Sequence, residues 1–163
     1  MSTSSLTFKN VWKNQTDEDT KKIVDFWKQL GVLPAKEDGL KRATQVVFIA
    51  QNGENELGAI CTSYLAEVKD LHGYYYHFRC LVHPEFRQSK LAGDLLNATF
   101  DLLEELTLQG NLDEIKGMYI EVENQHLLNH KNEAVWPKTN FVFVGITPKG
   151  THRRVRYFKG ARI

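Results

Sequence analysis

Arg87 and Lys90 stand three residues apart in a turn that joins an apolar strand to a long amphipathic helix, within the run YHFRCLVHPEFRQSKLAGDLLNATFDLLEEL at residues 76–106. The chemistry such a join supports is anion binding. The first amides of a helix have no acceptor within it, and together with the helix dipole they favour a phosphate laid over the turn. The two cations add fixed positive charge at the same place.

Periodicity and punctuation outline the elements that must hold this turn. A first strand is expected at Leu6 to Trp12. Thr16 or Asp17 then caps a helix on which Ile23, Phe26, Trp27 and Leu30 share a face up to Gly31. Pro34 ends that region, and Glu37 to Ala43 forms a short second helix before a strand at Val46 to Ala50. Asn52 to Asn55 is a turn by composition, followed by a strand from Leu57 to Val68, a turn at Lys69 to Gly73 and an aromatic strand at Tyr74 to Val82. Beyond the basic turn, Leu91, Leu95, Ala98, Leu102 and Leu106 fall at helical spacing, and Gly110 stops the helix. A short buried strand at Met118 to Val122, a helix from Gln125 to Val135 ending at Pro137, and strands at Phe141 to Ile146 and Arg153 to Phe158 complete the pattern. Strands joined by short turns are expected to be antiparallel, and the pair bridged by the long helix parallel and right-handed. The predicted fold is α/β, a mixed and mostly antiparallel sheet with helices on both faces.

With 42% hydrophobic and 25% charged residues among 163, this is the composition of an ordinary globular protein, and one domain over residues 1–163 is the simplest count. Twenty-one basic against twenty acidic side chains leave a net charge of +1, which removes any bulk field for nucleic acid or membrane. The opening MSTSSLTFKNVW lacks the basic segment and apolar core of a signal peptide, and no apolar run approaches the ~20 residues of a membrane helix, so a cytoplasmic location is expected. Cys61 and Cys80 fall in predicted strands among apolar neighbours. Two buried, reduced thiols are expected there, with no disulfide and no metal role.

The order of elements and the basic turn together resemble the GNAT superfamily of acyl-CoA-dependent N-acyltransferases. That family's phosphate turn is Arg or Gln, two free positions, Gly, one free position, then Gly or Ala, after a strand ending in Val-x-Pro. Here Val82-His83-Pro84-Glu85-Phe86 leads into Arg87-Gln88-Ser89-Lys90-Leu91-Ala92, with Lys90 at the usual Gly position. A second landmark, Asn, often Ala, then Tyr and Gly-Phe, is met by Asn129, Asn132, Trp136, Asn140 and Phe141, of which Asn129 and Phe141 match. The resemblance implies a GNAT-like sheet with one splayed parallel pair. It also implies an N-acetyltransferase that takes acetyl-CoA as co-substrate and a small-molecule or protein amine as acceptor. The implied cofactor-binding residues are Leu81, Val82, Arg87, Gln88, Ser89, Lys90, Leu91, Ala92 and Asn129.

In that chemistry the amine attacks the thioester directly, which requires a base or water path to remove its proton and a donor for the oxyanion, here a backbone N–H near Val82. Candidate catalytic residues are His77 and Tyr76 on the central strand and Glu121 and Glu123 at the end of the next, the two glutamates sharing a face by strand alternation. Each also has a plainer reading, as a hydrogen bonder within the sheet or a solvated carboxylate. His83, before Pro84, reads as a turn residue. Trp136 stands where the family's tyrosine often protonates the leaving thiolate. An indole N–H is no useful acid, so the general acid stays unassigned and a CoA-binding domain without efficient turnover is the alternative. After Glu133 there are no acids, and Arg153, Arg154, Arg156 and Lys159 with Tyr157 and Phe158 form a basic ending that could track nucleic acid or serve as a solvated strand face. The apolar and aromatic terminal strands also allow a homodimer through sheet contact.

Overall fold

Thr16 opens the first helix as its composition demands. Its hydroxyl accepts from the Asp19 amide at 3.0 Å while the Asp19 carboxylate accepts from the Thr16 amide at 3.1 Å, a reciprocal cap. This geometry belongs to a computed structural model that describes residues 5–33, 36–87 and 90–163, with backbone alone at 36–38. In chain order the elements are β1 (Thr7–Asn10), α1 (Asp17–Gln29), α2 (Lys36–Ala43), β2 (Val46–Gln51), β3 (Leu57–Val68), β4 (Gly73–Val82), α3 (Leu91–Gln109), β5 (Ile115–Val122), α4 (Gln125–His130), β6 (Val142–Ile146) and β7 (His152–Tyr157). Single 3-10 turns lie at Lys69–Leu71 and Pro84–Phe86. The strands form a seven-stranded mixed sheet in the order β1-β2-β3-β4-β5-β7-β6. The residues group into two units, Met1–Ser63 with Arg79–Thr99, and Tyr64–Phe78 with Phe100–Ile163.

In the first unit, β1 and β2 pair antiparallel from Thr7↔Gln51 to Asn10↔Phe48, and β2 pairs antiparallel with β3. Ile23, Phe26 and Trp27 of α1 pack against Val11, Val46, Ile49 and Ile60. Each of these large side chains contributes about 1.5–3 kcal/mol by leaving water. Asp19 lies in the same helix, buried and bonded to Lys9 Nζ at 2.8 Å. Burial would raise its carboxyl, but the Lys9 and Thr16 hydrogen bonds outweigh that and hold it below the usual range.

In the second unit, β4 and β5 are parallel, with partners from Tyr74↔Ile115 to His77↔Tyr119, and β5 pairs antiparallel with β7 from Gly117↔Tyr157 to Val122↔His152. Gly117 is required by this pairing, because a Cβ there would stand 2.2 Å from the Arg156 carbonyl oxygen. Tyr75, Tyr119, Val155 and Val68 form a core cluster. Of the three consecutive tyrosines, Tyr75 is buried, Tyr74 exposed and Tyr76 half-buried, as alternation between sheet faces requires.

Three expectations are corrected. The first strand spans four residues, not seven, because Val11 turns inward to the core and Trp12 leaves the ladder. The second predicted late helix stops at His130 rather than Val135, whose residue instead forms an antiparallel bridge with Val142. Of the apolar residues in 125–135, Leu127 and Leu128 are half-buried, while Ala134 and Val135 are exposed. On α3 the buried face runs through Leu95, Leu96, Thr99, Phe100, Leu103 and Thr107, which leaves Leu106 41% exposed.

Candidate active site

The end of β4 and the start of α3 present the anion-binding join that the sequence suggests. The register with β5 runs only to His77, although β4 continues to Val82. Leu81 and Val82 are half-buried. The chain is pinned as it leaves the strand, with the His83 amide donating to the Gly58 carbonyl at 2.8 Å and Pro84 opening the 3-10 turn. His83 Nδ1 accepts from the Glu85 amide at 3.2 Å, and its ring lies beside Phe26 and Phe86, so this imidazole shapes the turn. Arg87 Nε donates to the Val82 carbonyl at 3.3 Å, which folds the side chain back over the strand end. Gln88 and Ser89 lie outside the described residues.

Lys90 is exposed and its carbonyl accepts from the Asp94 amide at 3.0 Å, so α3 begins there. Leu91 anchors the first turn in the core, at 7% exposure, while Ala92 is exposed. The start of a helix carries the positive end of its dipole, which favours an anion placed over it. Among the described residues neither Arg87 nor Lys90 enters an ion pair.

Beside this strand, in the same unit, a cavity of about 150 Å³ is walled by Trp27 of α1, Arg42 of α2, Ile60 and Thr62 of β3, and Arg79 and Leu81 of β4. Cys80 also borders it. Both cysteines are free thiols, Cys61 buried and Cys80, against expectation, only half-buried. Burial pushes Cys61 up to about 11, against its contacts with Thr99 Oγ1 at 3.4 Å and the Phe48 carbonyl at 3.8 Å. Burial, reinforced by Cys61, raises Cys80 as well, so both stay protonated at neutral pH and neither is a nucleophile.

The second unit holds the proton-transfer candidates in a different setting. His77 is sandwiched, its ring stacked on Tyr64 at 5.0 Å and 4.7 Å from that of Tyr119. The Tyr119 hydroxyl accepts from Arg153 Nε at 3.1 Å and donates to Glu121 at 3.5 Å. Arg153 in turn grips Asp70 with two bonds of 2.8 Å. The structure thus gathers His77, Glu121, Tyr119, Arg153 and Asp70 into one linked cluster. Burial raises the Tyr119 phenol despite the arginine beside it, and burial raises Tyr76, whose ring packs 6.4 Å from Phe158. Glu123 is exposed and lies one residue beyond β5, so it does not continue the strand alternation assumed for the glutamate pair. Sequence reasoning missed Tyr119, Arg153 and Asp70, because Arg153 reaches its two partners across 34 and 83 residues.

The landmarks near the C-terminus make contacts within the second unit. Asn129 is exposed in α4, accepting from Gln125 Nε2 at 3.3 Å. Trp136 donates its indole N–H to the Lys131 carbonyl at 2.7 Å and carries the Arg154 guanidinium on its ring at 4.3 Å. Arg154 is 1% exposed and also reaches the Phe141 carbonyl at 3.4 Å, while Arg156 lies 3.7 Å over the Phe100 ring and bonds the Thr139 carbonyl. Burial lowers Arg154 below its ordinary value. With Phe158 buried as well, the basic ending that could track nucleic acid or serve as a solvated strand face instead turns most of its basic and aromatic side chains into the protein.

No family model and no curated protein matches the chain. Solved structures do. NAA60 from Arabidopsis thaliana in complex with acetyl-CoA superposes with a TM-score of 0.62 over 96% of this chain and 100% of that one, at 14% identity. A GNAT-family acetyltransferase from Streptococcus pneumoniae gives a TM-score of 0.64 at 12% identity, covering 94% of this chain and 99% of the other. Ard1 from Thermoplasma volcanium gives 0.56 at 10% identity, covering 94% and 97%. At such identities the likeness is one of fold, and the fold of this chain is that of the GNAT acetyltransferases.

Proposed function

We propose that the chain, as one catalytic domain, is an N-acyltransferase that moves an acetyl group from acetyl-CoA to a primary amine. The observation that carries this reading is the positive charge of Arg87 and Lys90, neither of which enters an ion pair among the described residues, at the opening of α3, directly after β4, in a fold whose solved members include an acetyl-CoA complex. The diphosphate would rest on the backbone of Gln88 to Ala92 and on Lys90, which supplies charge where other turns of this kind supply a glycine. The arm of the cofactor would run along β4 from Phe78 to Val82, with Leu81 and Val82 presenting backbone groups to it and an amide near Val82 holding the oxyanion. Asn129 is a further contact for the arm.

Acyl-CoA supplies an activated thioester. The amine nitrogen forms the new N–C bond as the C–S bond breaks, the electron pair stays on sulfur, and the proton shed by the amine ends on the CoA thiol. His77, one residue before the cofactor-binding stretch of β4, is the proposed base, and its aromatic neighbours Tyr64 and Tyr119 fix the ring. Tyr76, Glu121 and Glu123 are the remaining candidates. Trp136 is not the acid, since its N–H is taken by Lys131.

That last feature favours a second reading, a CoA-binding module with little turnover. Release of CoA thiol from acetyl-CoA in the presence of an amine panel separates the two. Turnover that falls at least tenfold in His77→Gln supports the enzyme, whereas tight acetyl-CoA binding with no thiol release under any amine supports the module.

A further inference from the structure

The cavity walled by α1, α2, β3 and β4 has a chemical character that acyl transfer by itself does not require. Its lining sets the apolar side chains of Trp27, Ile60 and Leu81 beside the buried Thr62 and two guanidinium residues, Arg42 and Arg79. Among the described residues no carboxylate lines it. Cations bordering a small and partly apolar space favour an anion that can accept their forked N–H groups, because charge is held less well there than in open water. A volume of about 150 Å³ equals that of about five water molecules at about 30 Å³ each. It suits a small acid.

Resting on the acyltransferase reading, we infer that this cavity receives the anionic end of a small amine acceptor, so that the substrate class is a primary amine bearing a carboxylate or phosphate. Cys80 and Leu81 belong to the strand along which the thioester is proposed to lie, so an acceptor anchored here approaches the strand from within the same unit. Transfer then follows the bond changes already given, with acyl-CoA as the only co-reactant. Trp27 and Ile60 reward an aliphatic body on the acceptor, and the two arginines select its acid.

The experiment measures CoA thiol release from acetyl-CoA by the full-length protein with four probes: L-valine, O-phosphoethanolamine, valinamide and isobutylamine. At least one of the two anionic amines is expected to exceed both comparators in kcat/KM by tenfold or more, and which of the two does so tells carboxylate from phosphate. Arg42→Gln and Arg79→Gln are each expected to raise KM for that amine tenfold or more while changing valinamide turnover less than twofold, and Arg42→Lys to recover part of the loss. Equal rates for valine, valinamide and isobutylamine overturn the inference, as does indifference of the anionic amine to both glutamine variants. If no amine is turned over, calorimetric titration of L-valine and O-phosphoethanolamine into the protein decides. Binding that disappears in Arg42→Gln keeps the anion pocket and removes the acyltransferase reading, whereas no binding removes the pocket.

Discussion

The turn at Arg87 and Lys90 and the strand at His152–Tyr157 are both basic in sequence and are used in opposite ways. In β7, Arg153 is locked to Asp70 and Tyr119, Arg154 is buried on Trp136, and Arg156 covers Phe100. Their N–H groups are directed at carbonyls, rings and a carboxylate of the protein itself. At the turn, Arg87 bonds the Val82 carbonyl at 3.3 Å, neither Arg87 nor Lys90 enters an ion pair among the described residues, and both sit at the start of a helix. Charge that is internally satisfied contributes to packing. Charge left in the field of a helix start is available to a ligand.

The contrast is broken most severely by Arg154→Ala. Removing a large buried side chain leaves a void beneath Trp136, and the expected loss is about 3 kcal/mol of unfolding free energy in a denaturant titration. A loss below about 0.5 kcal/mol would mean that β7 does not depend on its arginines. At the turn, Arg87→Ala with Lys90→Glu is expected to change stability by less than about 0.5 kcal/mol while weakening acetyl-CoA tenfold or more, about 1.4 kcal/mol. Trp136→Phe keeps a ring under Arg154 but loses the bond to Lys131, at a cost of about 1 kcal/mol. Thiol release should be unaffected by it, and a large fall in rate would return that position to the chemistry.

The smallest effect is a pH dependence at the other end of Arg153. The hydrogen bonds from Arg153 hold the Asp70 carboxyl below its ordinary value. A depressed carboxyl stabilises the fold once pH exceeds the unfolded-state value of about 3.9, and that stabilisation is lost as pH falls through the lower folded-state value. Wild type and Asp70→Asn should therefore differ in thermal midpoint at neutral pH and converge in acid. A constant difference down to the acid limit would contradict the pairing.

Much of the fold was legible because local signals agreed. Thr16 announced the start of α1, Ile23, Phe26 and Trp27 its buried face, and the twelve residues of β3 were bounded by turns on both sides. The late helix was misread where local preference met a tertiary demand. Glu133 and Ala134 are good helix formers, but the Phe143 amide donates to the Ala134 carbonyl at 2.8 Å and pulls that segment into strand pairing. The candidate site divides the same way. Arg87 and Lys90 could be read from position alone, whereas the linkage of His77 to Tyr119, Arg153 and Asp70 depends on sheet register and on a turn far away in sequence. The cavity's two arginines were equally hidden, since only the fold brings Arg42 and Arg79 to one space.

Calorimetric titration of acetyl-CoA into the wild type and into the Arg87→Ala, Lys90→Glu double variant, with thermal melts of both, goes to the heart of the matter. Micromolar binding by the wild type, lost by tenfold or more in a variant that melts at the same temperature, is the expected result. Wild-type binding that the variant retains in full would contradict the assignment of the phosphate site, and no binding of acetyl-CoA or free CoA by the wild type would leave a GNAT fold that does not use this co-substrate.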